Sequence, residues 1–152
     1  KSLKQATAKD PAFNLAKETL EYVDWARPNS RSAIYIAKVS LPFDQTYDAM
    51  LRAVKRASQI KLNSENRAEG KIVAKQKMNF MSSGQDIDID IRALSGVTGV
   101  RMLSQTKRGF LGIRQKMDWG ESRKSIGRIL RPFYEEIAGV LRVDPPKTTP
   151  TK

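Results

Sequence analysis

Asp86-x-Asp88-x-Asp90 places three carboxylates at alternate positions of one short segment. On a strand, that spacing lines them along one face, roughly 7 Å apart. A carboxylate row of this kind can hold a hard cation. It also suits cross-strand ion pairing. A hairpin folding 71–78 onto 85–92 sets Lys75 opposite Asp88 and Lys77 opposite Asp86, each pair contributing roughly 0.2–1 kcal/mol. This second explanation also accounts for Ile87, Ile89 and Ile91 between the aspartates, which then meet Ile72 and Ala74 on the other face. The row therefore reads as structural, and no metal is expected.

A second segment, Lys107-Arg108-Gly109-Phe110-Leu111-Gly112-Ile113-Arg114-Gln115-Lys116, sets three large apolar residues between two basic pairs. Its two glycines predict a turn or a flexible loop. It has no Gly-Lys-Ser or Gly-Lys-Thr, so it is no phosphate loop. Phe110 and Ile113 could plug the open end of a core. Alternatively, Lys107, Arg108, Phe110, Leu111, Ile113, Arg114 and Lys116 form an exposed tip that docks on an anionic membrane surface or a protein partner. Farther along, Arg123, Lys124, Arg128 and Arg131 share one region of a helix. They either face solvent or track phosphates. Only Phe110 and Trp119 offer stacking surfaces beside these cations, and no nucleic-acid motif is present.

The chain has 152 residues, no cysteine, no histidine and a net charge of +12. Without cysteine there are no disulfides, thiolate metal sites or thiol nucleophiles. Without histidine the usual general base and the commonest metal ligand are missing. The expectation is a protein that is not an enzyme and uses no cofactor. The positive charge is uneven: residues 101–131 hold nine Lys or Arg against two acids, so this segment should face an anionic partner. No apolar run approaches the length of a membrane span. The first residue is Lys1, so a signal peptide or lipid anchor ahead of it is an open expectation.

The elements that must position these residues follow from periodicity. Asp10-Pro11 reads as a helix start, with Ala12, Ala16, Leu20 and Val23 at helical spacing through Trp25. Residues 33–41 alternate as a strand ended by Pro42. Asp44 caps a helix over about 45–58, with Tyr47, Met50, Leu51, Val54 and Ala57 as its apolar stripe. A short strand at 60–62 and a polar turn from Asn63 to Gly70 lead to strands at 71–78, 85–94 and 97–106. Asp118 to Glu121 resembles a capping box. It opens a long helix over 118–142 with the stripe Ile126, Ile129, Leu130, Phe133, Ile137, Val140 and Leu141. Pro132 should kink it. The predicted fold is α+β, an antiparallel β-meander packed on a long C-terminal helix in the order β-α-β-β-β-β-α, with an extra N-terminal helix. The predicted divisions are an extension at 1–31, one domain at 32–142 and a disordered tail at 143–152.

Leu41-Pro42-Phe43-Asp44-Gln45-Thr46-Tyr47, Ala53-Val54, Ile60-Lys61-Leu62-Asn63 and Glu69-Gly70-Lys71-Ile72 together resemble a recurring unit of bacterial envelope lipoproteins. In that unit a strand ends in a proline or serine step. A helix with an aromatic in its first turn follows, and then a polar turn into the next strand. The C component of the outer-membrane β-barrel assembly machinery is built from such domains. The resemblance spans about residues 33–140. It implies a helix-grip fold, no catalytic residues and a periplasm-facing accessory or assembly role tethered to the outer membrane, with the cytoplasm as the alternative. This chain has one such unit and lacks the lipidated cysteine. The leading expectation is thus a non-enzymatic envelope domain whose partner is an envelope protein or an anionic membrane surface, bound through residues 107–116 and Arg123, Lys124 and Arg128. The alternatives are a basic nucleic-acid-binding domain and a helix-grip carrier of a small apolar ligand, since a sheet gripping a helix can enclose a pocket.

Overall fold

The computed structural model describes residues 19–29, 31–77, 84–106 and 121–143. The elements in chain order are β1 (Leu20–Asn29), β2 (Ser32–Val39), α1 (Phe43–Arg56), β3 (Ile60–Asn66), β4 (Lys71–Gln76), β5 (Gln85–Ala93), β6 (Thr98–Thr106) and α2 (Glu121–Val143). The six strands form one antiparallel sheet in the order β1-β2-β6-β5-β4-β3. Both helices cover one face of it. This is the expected α+β, helix-grip-like architecture.

Alternation decides which side of each strand is buried. Ile87, Ile89 and Ile91 of β5 expose at most 1% of their surface, whereas Asp86 and Asp88 between them are exposed. Tyr35 and Ala37 of β2, Ile72 and Ala74 of β4, and Val100 and Met102 of β6 fill the same inner layer. Against it α1 buries Tyr47, Met50, Ala53 and Val54. From α2 come Ile126, Ile129, Leu130, Phe133 and Ile137. Each of the larger apolar side chains among these gains about 1.5–3 kcal/mol by leaving water. The cap of α1 differs from expectation. Pro42 is the N-cap, Asp44 lies in the first turn, and Thr46 Oγ1 donates to the Pro42 carbonyl at 3.0 Å. α2 continues through Pro132.

The N-terminal helix expected through Trp25 is corrected. Residues 20–29 are the edge strand β1, and the sheet begins ahead of the boundary expected at 32. The reason lies in a register shift between Leu20 and Tyr22. An extra residue inverts the phase of a strand, so Leu20 and Val23, three apart, both pack on the core. A bulged strand thus imitates helical spacing. Ala12 and Ala16 lie outside the described residues, as do Met78, Asp118 and the tail from 144. Pro28 sits in this edge strand, where its missing N–H breaks no inner ladder.

Two further boundaries move. β3 runs to Asn66 rather than stopping at Leu62, with a register shift between Leu62 and Ser64. The β4–β5 register is also offset by two residues from the expected one. Lys75 faces Asp86, Val73 faces Asp88 and Lys71 faces Asp90. A two-residue slip keeps every side chain on its face, so hydropathy alone does not separate the two registers. Ile72 and Ala74 still meet the isoleucines of β5 on the inner face, now as Ile72 with Ile89 and Ala74 with Ile87.

Candidate basic docking surface

The strands share two ends. At one, the β1–β2 turn, the close of β4, the start of β5 and the close of β6 come together beside the first turns of α2. The carbonyl oxygen of Arg31 is its hub. It accepts from the Thr106 backbone N–H at 2.9 Å and from Ser122 Oγ at 3.0 Å. These two residues flank the connection from β6 to α2, so the segment 107–120 leaves and returns at one place. Lys107, Arg108, Phe110, Leu111, Ile113, Arg114 and Lys116 themselves lie outside the described residues.

Beneath this end runs a buried polar network that the sequence reading missed. Gln85 Oε1 accepts from Ser104 Oγ and Ser122 Oγ, both at 2.9 Å, and Gln85 Nε2 donates to Thr106 Oγ1 at 2.9 Å. Ser122 has one hydroxyl hydrogen, so it serves Gln85 or Arg31 at any moment. Gln76 Oε1 accepts from Ser125 Oγ at 2.7 Å and from Arg128 Nε at 3.1 Å, while Gln76 Nε2 points to Glu121 Oε1 at 3.4 Å. Gln76 and Gln85 are cross-strand partners. The serine hydroxyls meet amide oxygens, which are poor bases, so this geometry fastens α2 to the sheet and activates no nucleophile. The signal was in the phase: Gln76, Gln85 and Ser104 occupy inward positions of their strands, and Ser122 and Ser125 extend the buried stripe of α2.

The three expected helix cations separate. Arg128 is held by Gln76 and is half-buried. Lys124 is exposed. Arg123 lies over the indole of Trp25, with its guanidinium carbon 4.5 Å from the ring centroid. Trp25 in turn meets Tyr35 edge-on, centroids 5.1 Å apart. Partial burial, and secondarily the nearby charge of Arg27, pull the Arg123 guanidinium below its ordinary range. Arg27, Arg31, Lys77, Arg123, Lys124 and Arg128 all belong to this end. The acids described there are Asp86, on the outer face, and Glu121.

Elsewhere several cations are matched by acids. Arg67 pairs with Asp44 at 3.1 Å and with Asp48, and lies over Tyr47. Lys71 and Arg101 flank Asp90 at 2.9 and 3.6 Å, so the last carboxylate of the aspartate row is engaged in ion pairs. Arg52 and Arg56 of α1 grip Glu135 and Glu136 of α2 at 2.7–3.0 Å. Those pairs lie on the helical layer, away from the sheet ends.

Among the described residues, the side chains between sheet and α2 are closely packed. Tyr35, Met102, Ile126, Ile129 and Phe133 expose none of their surface. The Tyr35 and Tyr134 hydroxyls are hydrogen-bonded at 2.7 Å across this layer. A small ligand there would have to displace packed side chains.

No family model matches the chain, and no curated protein does. Among solved structures it is similar to Ara h 8.0201, with 8% identity and a TM-score of 0.41, over 92% of this chain and 87% of that one. It is similar to a protein from Arthrobacter aurescens, with 9% identity and a TM-score of 0.43, over 88% of this chain and 100% of that one. It is also similar to the Zhui aromatase/cyclase from Streptomyces sp. R1128, with 11% identity and a TM-score of 0.33, over 95% and 88%. At such identities and scores, neither a function nor a ligand carries across.

Proposed function

We propose that this chain is a non-enzymatic binding domain that docks its basic end on an anionic membrane surface, in keeping with the envelope role implied by its resemblance. One observation carries the proposal. The Arg31 carbonyl gathers Thr106 and Ser122, and with them Arg27, Arg123 and Lys124, to the place from which the basic and apolar segment 107–116 departs. At the opposite end Arg67, Lys71 and Arg101 have carboxylate partners. Trp25 supports a surface role over base stacking. One face of its indole is covered by Arg123 and the ring meets Tyr35, so it offers a poor platform to a nucleobase.

Vesicle cosedimentation tests this. The protein should bind phosphatidylglycerol vesicles at low salt and leave phosphatidylcholine vesicles in solution. Basic residues near an anionic surface contribute about 1 kcal/mol each. Reversing both Arg123 and Lys124 to glutamate should therefore weaken binding by at least roughly 30-fold. Unchanged binding of that double variant refutes the proposal. So does tight, salt-steep binding to an oligonucleotide with no vesicle binding, which would install the nucleic-acid reading instead.

A further inference from the structure

Two rows of charged residues cross the outer face of the sheet, and they differ in how sign is arranged. Lys71, Asp90 and Arg101 are register partners across β4, β5 and β6, and their signs alternate, with ion pairs at 2.9 and 3.6 Å. Nearer the basic end, a second row runs Lys61, Lys75, Asp86 and Gln105 across β3, β4, β5 and β6. Here the alternation fails at the edge, where Lys61 stands directly opposite Lys75. Both lie on the outer face, because Ile60, Ala74 and Gln76 beside them are buried inward. Among the described residues neither lysine enters an ion pair, although Asp86 is the β5 partner of Lys75. Like charges directly opposite one another destabilise a sheet, and a glutamate at 61 would have continued the alternation. Lys77 lies just past β4 and is exposed. Its backbone N–H donates to the Gln59 carbonyl at 3.2 Å, which holds it beside the start of β3.

We infer that Lys61, Lys75 and Lys77 form a second half of the docking surface, so that the domain stands on an anionic bilayer with its strands upright. This rests on the docking reading above and gives it an orientation. The row from Ile60 through Gln76 and Gln85 to Thr106 is the end of the sheet. Thr106 in turn is gathered with Ser122 by the Arg31 carbonyl. Lys61 and Lys75 stand one position in from that row, about 3.3 Å along the strands, and their long stems let the charges reach the end. They border it from the outer face of the sheet, whereas Arg123 and Lys124 border it from the helical side. A surface that meets headgroups end-on uses both groups at once. The repulsion between Lys61 and Lys75 is relieved when anionic headgroups approach. A local rule broken at an exposed place is the pattern expected of a surface kept for binding.

The experiment measures binding to phosphatidylglycerol vesicles in about 0.1 M salt, together with thermal unfolding of the same variants. Lys61→Gln removes one basic charge and should weaken binding about fivefold. Lys61→Glu reverses it and should weaken binding by roughly 30-fold. Its melting temperature should rise by a few degrees, because repulsion across the β3–β4 pair becomes attraction. Lys38→Glu is the control. Lys38 is exposed on the same outer face toward the other end of the strands, about 20 Å from the row of Lys61. That is about two Debye lengths, so binding should stay within about twofold of wild type. An equal loss in Lys61→Glu and Lys38→Glu reports net charge and overturns this inference alone. So does unchanged binding of Lys61→Glu where reversal of Arg123 and Lys124 weakens it. A melting temperature that falls in both Lys61 variants makes the pair structural and overturns the inference too. Failure of wild type to bind the vesicles, with or without binding to an oligonucleotide, overturns the docking reading and this inference together.

Discussion

Gln85→Leu is the sharpest test of how α2 is held. Gln85 is 1% exposed and its amide serves three hydroxyls. Leucine is similar in volume, so little cavity forms and the cost is mainly polar. Ser104 Oγ is wholly buried and loses its acceptor, a penalty of about 1–3 kcal/mol for an unsatisfied buried group. Ser122 falls back on the Arg31 carbonyl, and half-exposed Thr106 turns to water, so these add roughly 0.5–1 kcal/mol together. The expected loss is about 1.5–4 kcal/mol in urea unfolding at constant m-value. Adding Ser104→Ala to the leucine variant should recover most of it, because deleting both partners leaves nothing unpaired. A single-variant loss below about 0.5 kcal/mol, or strict additivity of the two substitutions, would refute this account of the network.

Two further outcomes test other parts of the frame. Gly70 has φ +67°, and a Cβ there would lie 2.0 Å from the Ile91 carbonyl oxygen. Gly70→Ala should cost at least about 2 kcal/mol by denaturant midpoint, and a loss under about 0.5 kcal/mol would remove this contact from the argument. Burial raises the Glu136 carboxyl, but the hydrogen bonds and charges of Arg52 and Arg56 outweigh it and hold the group below its ordinary 4.5. A depressed carboxylate contributes stability above its unfolded value and loses it as pH falls through the folded one. Thermal unfolding of wild type should thus weaken below about pH 4.5, and Glu136→Gln should be flatter there; parallel profiles would refute the linkage.

Where alternation was unbroken, the residues spoke plainly. Ile87, Ile89 and Ile91 defined β5 and its buried face, and the stripe from Ile126 to Ile137 defined α2. β1 was misread because a bulge put Leu20 and Val23 three apart on one face. β3 was cut short because Asn63, Ser64, Glu65 and Asn66 carry no hydrophobic signal on an exposed edge. The β4–β5 register escaped because a period of two is blind to even slips; the Gln76–Gln85 pairing that distinguishes it is a polar match. At the candidate site, Arg123, Lys124 and Arg128 were visible as a cluster of charge. Their separation into a stacked, an exposed and an amide-bound cation depends on Trp25 and Gln76, both distant in sequence. Arg27 went unmarked because nothing local ties it to α2.

The Tyr35–Tyr134 hydrogen bond joins β2 to α2 within the packed layer, apart from the glutamine–serine network, between residues far apart in the chain. Oily contacts alone would let a long helix ratchet along the sheet, since one turn of about 5.4 Å brings similar side chains into similar places. Such a step would part the two phenols, at about 1–3 kcal/mol for each left without a partner. The pair therefore acts as a second peg, beside the glutamine–serine bonds, that selects one axial setting of α2. Because Arg123 rides on α2 and Trp25 on β1, the peg also sets the distance between them, and a ligand meets a surface whose spacing was decided in the core.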